Sequence, residues 1–229
     1  MPDTSWQQGF EQAWAFREER LYPALFGTLG PGIYPLDAEL FKKGFRQERI
    51  DPRWLHHGVF ECPPNQKRSS WLYVSSGLSN AWEESSPARD WSGLGCEFLI
   101  QSREQSRWAL LLLRRMVAFQ ILLSCERFPG KGLLKAWDRI PLRAPIDASS
   151  SRLNWTLLTP AGEFPGPHQL PTGRFEFIQF IGVTEDEAEY ARRNGGAELL
   201  ALFKRHGIDT VTQPARGSVF GADGRSEGS

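Results

Sequence analysis

Two β-type runs in this chain, Leu72 to Ser75 and Cys96 to Ile100, flank a polar stretch whose ends are marked by glycines, Gly77 on one side and Gly93 with Gly95 on the other. Glycine permits left-handed dihedrals and close backbone approach, so these three positions read as bends at the mouth of a sheet. The polar loop between the two runs carries Trp82 and Trp91.

The residues around this block resemble the Suppressor of fused domain family. Trp71 and Tyr73 match its H-W-x-Y strand; Gly77, Leu78, Ser79 and Trp82 match G-L-S-x-x-[WY]; Ser92, Gly93, Gly95 and Glu97 match S-G-x-G-x-E. Arg20-Leu21-Tyr22-Pro23 and Pro35-Leu36-Asp37 resemble R-L-Y-P and P-L-D upstream. Downstream, Pro145-Ile146-Asp147 with Ser151-Arg152-Leu153, the run Phe177 to Thr184, and Asn194-Gly195 with Leu199-Leu200 continue the likeness from about Gln12 to Phe220. The departures fall at Ser70 and Leu72, where the family has histidine, and at Asn80, where it has an acidic residue.

The resemblance implies an α+β fold, a mixed and largely antiparallel β-sheet flanked by helices, and protein binding without catalysis. It further implies that Trp71 to Ser76 pairs within the same sheet as Leu94 to Gln101, with Ser79 to Ser92 as an exposed loop. In animals such a domain is the first of two lobes that clamp a peptide of Gli transcription factors. At this length the second lobe is not expected, and the resemblance then implies the stand-alone bacterial kind, proposed as immunity proteins encoded beside polymorphic toxins. The expected partner is thus a protein, a cognate toxin or a sequestered peptide or transcription factor. The implied contact surface lies around Tyr73, Asn80, Trp82 and Glu97, and no cofactor is implied.

Composition is compatible with this. The 229 residues, 40% of them hydrophobic, suffice for one domain over residues 1–220, leaving 221–229 as a Gly, Ser and charge-rich tail read as disordered. Balanced charge, 27 Lys+Arg against 27 Asp+Glu, advertises neither nucleic acid nor an anionic membrane. Three scattered cysteines and no signal-like N-terminus suggest a cytoplasmic chain with reduced thiols.

Local patterns place the other elements. Trp6 to Phe26 reads as a helix with Phe10, Trp14, Leu21 and Leu25 at helical spacing. Trp108 to Leu123 reads as a core helix with Ser106 as its N-cap, broken by Arg114-Arg115 and too short to span a membrane. His57 to Cys62, Ala136 to Leu142, Leu153 to Thr159, Arg174 to Val183 and Thr210 to Thr212 are candidate strands, and Pro160 to Pro171 an exposed connection. Thr184 with Glu187 makes a capping box that starts a helix ending near Asn194-Gly195, followed by a second helix over Ala197 to Arg205.

A catalytic constellation is hard to find. His56-His57 point to opposite faces if they lie on a strand, and no H-E-x-x-H, Walker loop or G-x-S-x-G is present. Glu83, Glu84, Asp90 and Glu97 with the histidines are the residues a metal-dependent hydrolase would need, but acids in a polar loop are ordinarily solvated. Cys96, in a strand, reads as a buried thiol. Glu97 is different, because a carboxylate between apolar neighbours needs a partner, and an arginine from the fold or from a bound protein would supply it. The aromatics supply the positive signal: Trp71, Trp108 and Trp155 are expected in the core, while Trp82 and Trp91 divide between core and contact surface.

Overall fold

The computed structural model describes residues 5–82 and 90–221. Its helices are α1 (Ser5–Ala15), continued by a π-helical turn (Phe16–Leu21) into α2 (Tyr22–Phe26), then α3 (Ala38–Phe45), α4 (Arg107–Ser124), α5 (Glu185–Asn194) and α6 (Gly196–Arg205), with a 3₁₀ turn at Pro52–His56. The strands are β1 (Ile33–Pro35), β2 (Gly58–Cys62), β3 (Trp71–Ser76), β4 (Trp91–Ser102), β5 (Arg139–Pro141), β6 (Trp155–Pro160), β7 (His168–Leu170) and β8 (Gly173–Val183). They form one sheet in the order β1-β2-β3-β4-β8-β6-β5, with β7 also on β8. Only β4 and β8 are parallel, so the sheet is mixed and largely antiparallel, as expected.

Strand alternation divides the core between two faces. Tyr73, Phe98, Ile100 and Phe180 point to the face covered by α4, joining Leu113, Val117 and Ile121. Val74, Leu99, Phe175 and Phe177 point to the other face, beneath Tyr22 and Phe26. Farther along that face Leu157, Ile181 and Val183 meet Leu199 and Phe203. Because β3, β4 and β8 are covered on both sides, their sequences are nearly continuous apolar runs. Each large side chain so buried contributes about 1.5–3 kcal/mol.

The N-terminal helix buries a different stripe from the one its sequence suggests. Trp14 is 45% exposed, and the buried positions are Ala13, Arg17, Tyr22 and Phe26. The step from Arg17 to Tyr22 is one residue too long for an α-turn, and the π-helical turn absorbs it. Tyr22 then reaches the sheet, its hydroxyl donating to the Ser75 carbonyl at 2.7 Å.

Other expectations need correction. Ser106 precedes α4 but does not cap it with its side chain; its hydroxyl donates to the Glu104 carbonyl, and its amide donates to the Tyr73 hydroxyl oxygen at 2.6 Å. The proline-rich stretch is not simply exposed, since it contains β7 and buries Ala161 and Leu170. Thr210 to Thr212 makes a single bridge, Thr212 to Ser102, rather than a strand. Helix α3 carries no signal used above, yet Asp37 caps it by accepting from the Leu40 amide at 2.8 Å. That contact and an ion pair to Arg114 hold the Asp37 carboxyl below its usual range. At α5, Glu187 accepts from the Thr184 amide at 2.9 Å, as a capping box requires. The expected tail, from residue 222 on, lies outside the described residues.

Candidate functional site

The two glycine-marked motifs come together at one end of the sheet through a single carboxylate. Leaving β3, the chain turns at Gly77, whose φ of 129° and close contact with His57 exclude a side chain. The turn aims the Gly77 and Ser79 amides at Glu97, which accepts both at 3.0 and 2.9 Å, together with the Ser79 hydroxyl at 2.7 Å and the Ser75 hydroxyl. Gly93, at φ 56°, lies against the same loop, where a Cβ would meet the Asn80 carbonyl at 2.5 Å. The backbone of Leu94 and the hydroxyl of Ser92 complete the join, donating to the Leu78 carbonyl at 2.8 Å and the Ser79 carbonyl at 2.7 Å. The loop that was expected to be exposed from Ser79 to Ser92 is therefore buried at both ends, with Ser79, Asn80 and Ser92 at 0%, 4% and 0% exposure.

The cation that Glu97 needs comes from the N-terminal helix. Arg17, fully buried, lies 3.8 Å from the carboxylate and spends its donors on the loop: Ser76 Oγ at 3.0 and 2.7 Å, Ser79 Oγ at 2.9 Å and Asn80 Oδ1 at 2.8 Å. Glu18 joins the cluster by accepting from Ser76, and burial raises its pKa against the opposing pull of that bond and of Arg17. A fully satisfied network of this kind fixes one loop conformation, because any alternative leaves a buried charge without partners.

On this platform stands an aromatic surface. The Trp82 ring is half-buried, with centroids 4.7 Å from Phe10, 5.7 Å from His56 and 6.0 Å from His57. His57 itself is buried, hydrogen-bonded to the Trp54 carbonyl at 3.2 Å, and burial lowers its pKa to about 4, so its ring is neutral at pH 7. Trp91 is 42% exposed, with the Arg174 guanidinium 5.4 Å above its ring. Beside Trp82 lies a cavity of about 250 Å³ that reaches the last turn of α4.

Of the four residues expected at the contact surface, three meet here. Asn80 and Glu97 lie beneath that surface and Trp82 forms part of it. Tyr73 is buried on the α4 face, where its hydroxyl meets Ser106, and does not join the cluster. Arg17 and Phe10 were missed. Arg17 sits in F-R-E-E-R, a charged helical turn indistinguishable in sequence from a solvated one; the only available signal was that Glu97 demanded a cation.

The remaining chemistry is sparse. Among the described residues no group of three or more His, Cys, Asp or Glu could hold a metal. Glu83 and Glu84 lie outside the described residues. Burial pushes the Cys96 thiol up to about 12, with Gln120 Nε2 donating to its sulfur at 3.7 Å, which leaves no thiolate for nucleophilic work at pH 7. No helix among the described residues is long and apolar enough to cross a membrane.

Comparison with known proteins gives a consistent answer. The family model described as Suppressor of fused protein (SUFU) matches residues 53–217. The human Suppressor of fused homolog is 25% identical over 145 residues, 58% of this chain and 28% of the human protein, so the chain spans well under half of that relative. Among solved structures, the Sufu-Fu complex matches with a TM-score of 0.63 at 22% identity, covering 93% of this chain and 92% of that one. A SUFU homologue from Neisseria gonorrhoeae matches with a TM-score of 0.57 at 16% identity, covering 93% and 97%.

Proposed function

The chain belongs to the Suppressor of fused family, and on that footing we propose that it is a non-catalytic protein-binding domain whose partner seats on the Trp82 surface. The observation that carries this reading is the contrast between the two layers of the site. Beneath, Arg17 and Glu97 consume their hydrogen-bonding capacity on the loop; above, Trp82, Phe10 and His56 present contiguous aromatic area with little internal work to do. Rigid, amphipathic aromatics of this sort are where binding energy concentrates in protein interfaces.

Neutralisation of a cognate toxin is the form of binding we favour. In support stands the likeness in fold to a bacterial homologue, the gonococcal one, over 97% of that chain. Sequestration of a peptide as an added strand is less well supported. The edge strands β1 and β5 are three residues long and each ends in proline, at Pro35 and Pro141, which blunts the edge as a template for a further strand. The test is to express the product of the adjacent reading frame alone and together with this protein. Growth arrest relieved by co-expression, with the two proteins recovered as a complex, supports neutralisation; a complex without any effect on growth supports sequestration, and no complex removes both.

A further inference from the structure

The cavity beside Trp82 is walled by Trp54, Trp82, Trp91, Leu94 and Ile121. We propose that it receives a single aromatic side chain of the protein partner, a refinement that rests on the protein-binding reading above. An apolar cavity of roughly 150 Å³ holds benzene, so about 250 Å³ accommodates a phenyl ring with its methylene. Three indole walls and the neutral His57 ring offer edges and faces for offset or T-shaped contact, which favours an aromatic over a branched aliphatic guest.

The polar groups at the cavity argue for a tethered side chain rather than a free small molecule. A small ligand is oriented by a few convergent polar groups. Several of the polar groups here already bond within the fold: Asn80 Oδ1 accepts from Arg17, Arg53 pairs with Asp51, and the Ser124 hydroxyl donates to the Ile121 carbonyl. A guest would have to be oriented by the rest of its own molecule. The Trp82 indole N–H adds a second observation, since it is shielded from water and has no acceptor among the described residues. A guest carbonyl within reach would give that N–H an acceptor.

The test is a titration of the ¹⁵N-labelled protein with N-acetyl-L-phenylalaninamide, read from the indole N–H resonances, with that of Trp82 identified by its absence in Trp82→Phe. A saturable shift of the Trp82 resonance in the millimolar range is expected, with no shift from N-acetylglycinamide and none in Ser124→Trp, which closes the cavity at the end of α4. No saturable shift, an equal response to the glycine amide, or persistence in Ser124→Trp overturns the assignment. Free indole binding at least tenfold tighter than the capped amide overturns it in favour of a small-molecule site. If a partner binds through Trp82 while the amide does not, this inference falls and the protein-binding reading stands; an amide-binding cavity in a protein without any partner gives the reverse.

Discussion

Arg17 and Glu97 lie 3.8 Å apart with both side chains fully buried, one from the N-terminal helix and the other from the middle of the sheet. Neither has solvent to fall back on, so the helix and the β3–β4 loop are bound to each other through the pair. Removing one partner of a buried ion pair costs about 3–5 kcal/mol. Arg17→Met and Glu97→Gln are each expected to lose about that much in urea unfolding, and the double variant to lose clearly less than their sum. Additive losses would mean that the two side chains act independently.

Gly93 and Gly130 separate backbone strain from close approach. Both have positive φ, 56° and 75°, but a Cβ at Gly93 would meet the Leu78 and Asn80 carbonyls while one at Gly130 would meet nothing. Gly130→Ala should cost only the left-handed penalty, about 1–2 kcal/mol. Gly93→Ala must also displace the loop and should exceed it by about 2 kcal/mol or more, a difference measurable in paired denaturant curves.

His57 makes stability depend on pH. Its folded pKa of about 4 lies below the ordinary 6.5, so the unfolded chain takes up the proton first. The contribution is present above pH 6.5 and is lost as pH falls toward 4, in total about 3 kcal/mol. In His57→Gln the fall in stability across this window should shrink by that amount; an unchanged pH profile would place the titration elsewhere.

Much of this arrangement was legible in the sequence, and the omissions have physical reasons. Strands β3, β4 and β8 and helix α4 announced themselves because continuous apolar runs follow from burial on both faces, and Gly77 and Gly93 because only glycine fits their contacts. Glu97 advertised a need for a cation. That the cation is Arg17 was not legible, because pairing across the fold leaves no local pattern and F-R-E-E-R looks like any charged turn. Nor was the π-helical turn, whose cause is the register of Ala13, Arg17, Tyr22 and Phe26 against the sheet rather than any residue's propensity. Strands β1 and β7 span three residues each, too few for alternation to show, whereas β5 falls inside the run Ala136 to Leu142 that reads as a strand. Tyr73, grouped with the contact surface by family likeness, packs beneath the start of α4, where its hydroxyl meets Ser106, while the Trp82 cavity lies at the far end of that helix.

Zinc gives a check on the non-catalytic reading. Equilibrium dialysis should leave less than one zinc per protein, since neither the histidines nor the buried thiols of Cys62 and Cys96 are spaced as ligands. Stoichiometric zinc surviving dialysis would revive a hydrolase.

The claim that a partner seats on Trp82 is tested most directly by calorimetric titration of the adjacent gene's product against the wild type and Trp82→Ala, each first shown to unfold cooperatively. The expected result is tight binding by the wild type and a loss of about 2 kcal/mol or more in the variant, roughly a thirtyfold weaker Kd. Equal affinities for the two proteins, with the variant merely less stable, would contradict the account and leave Trp82 as packing between Phe10 and His57.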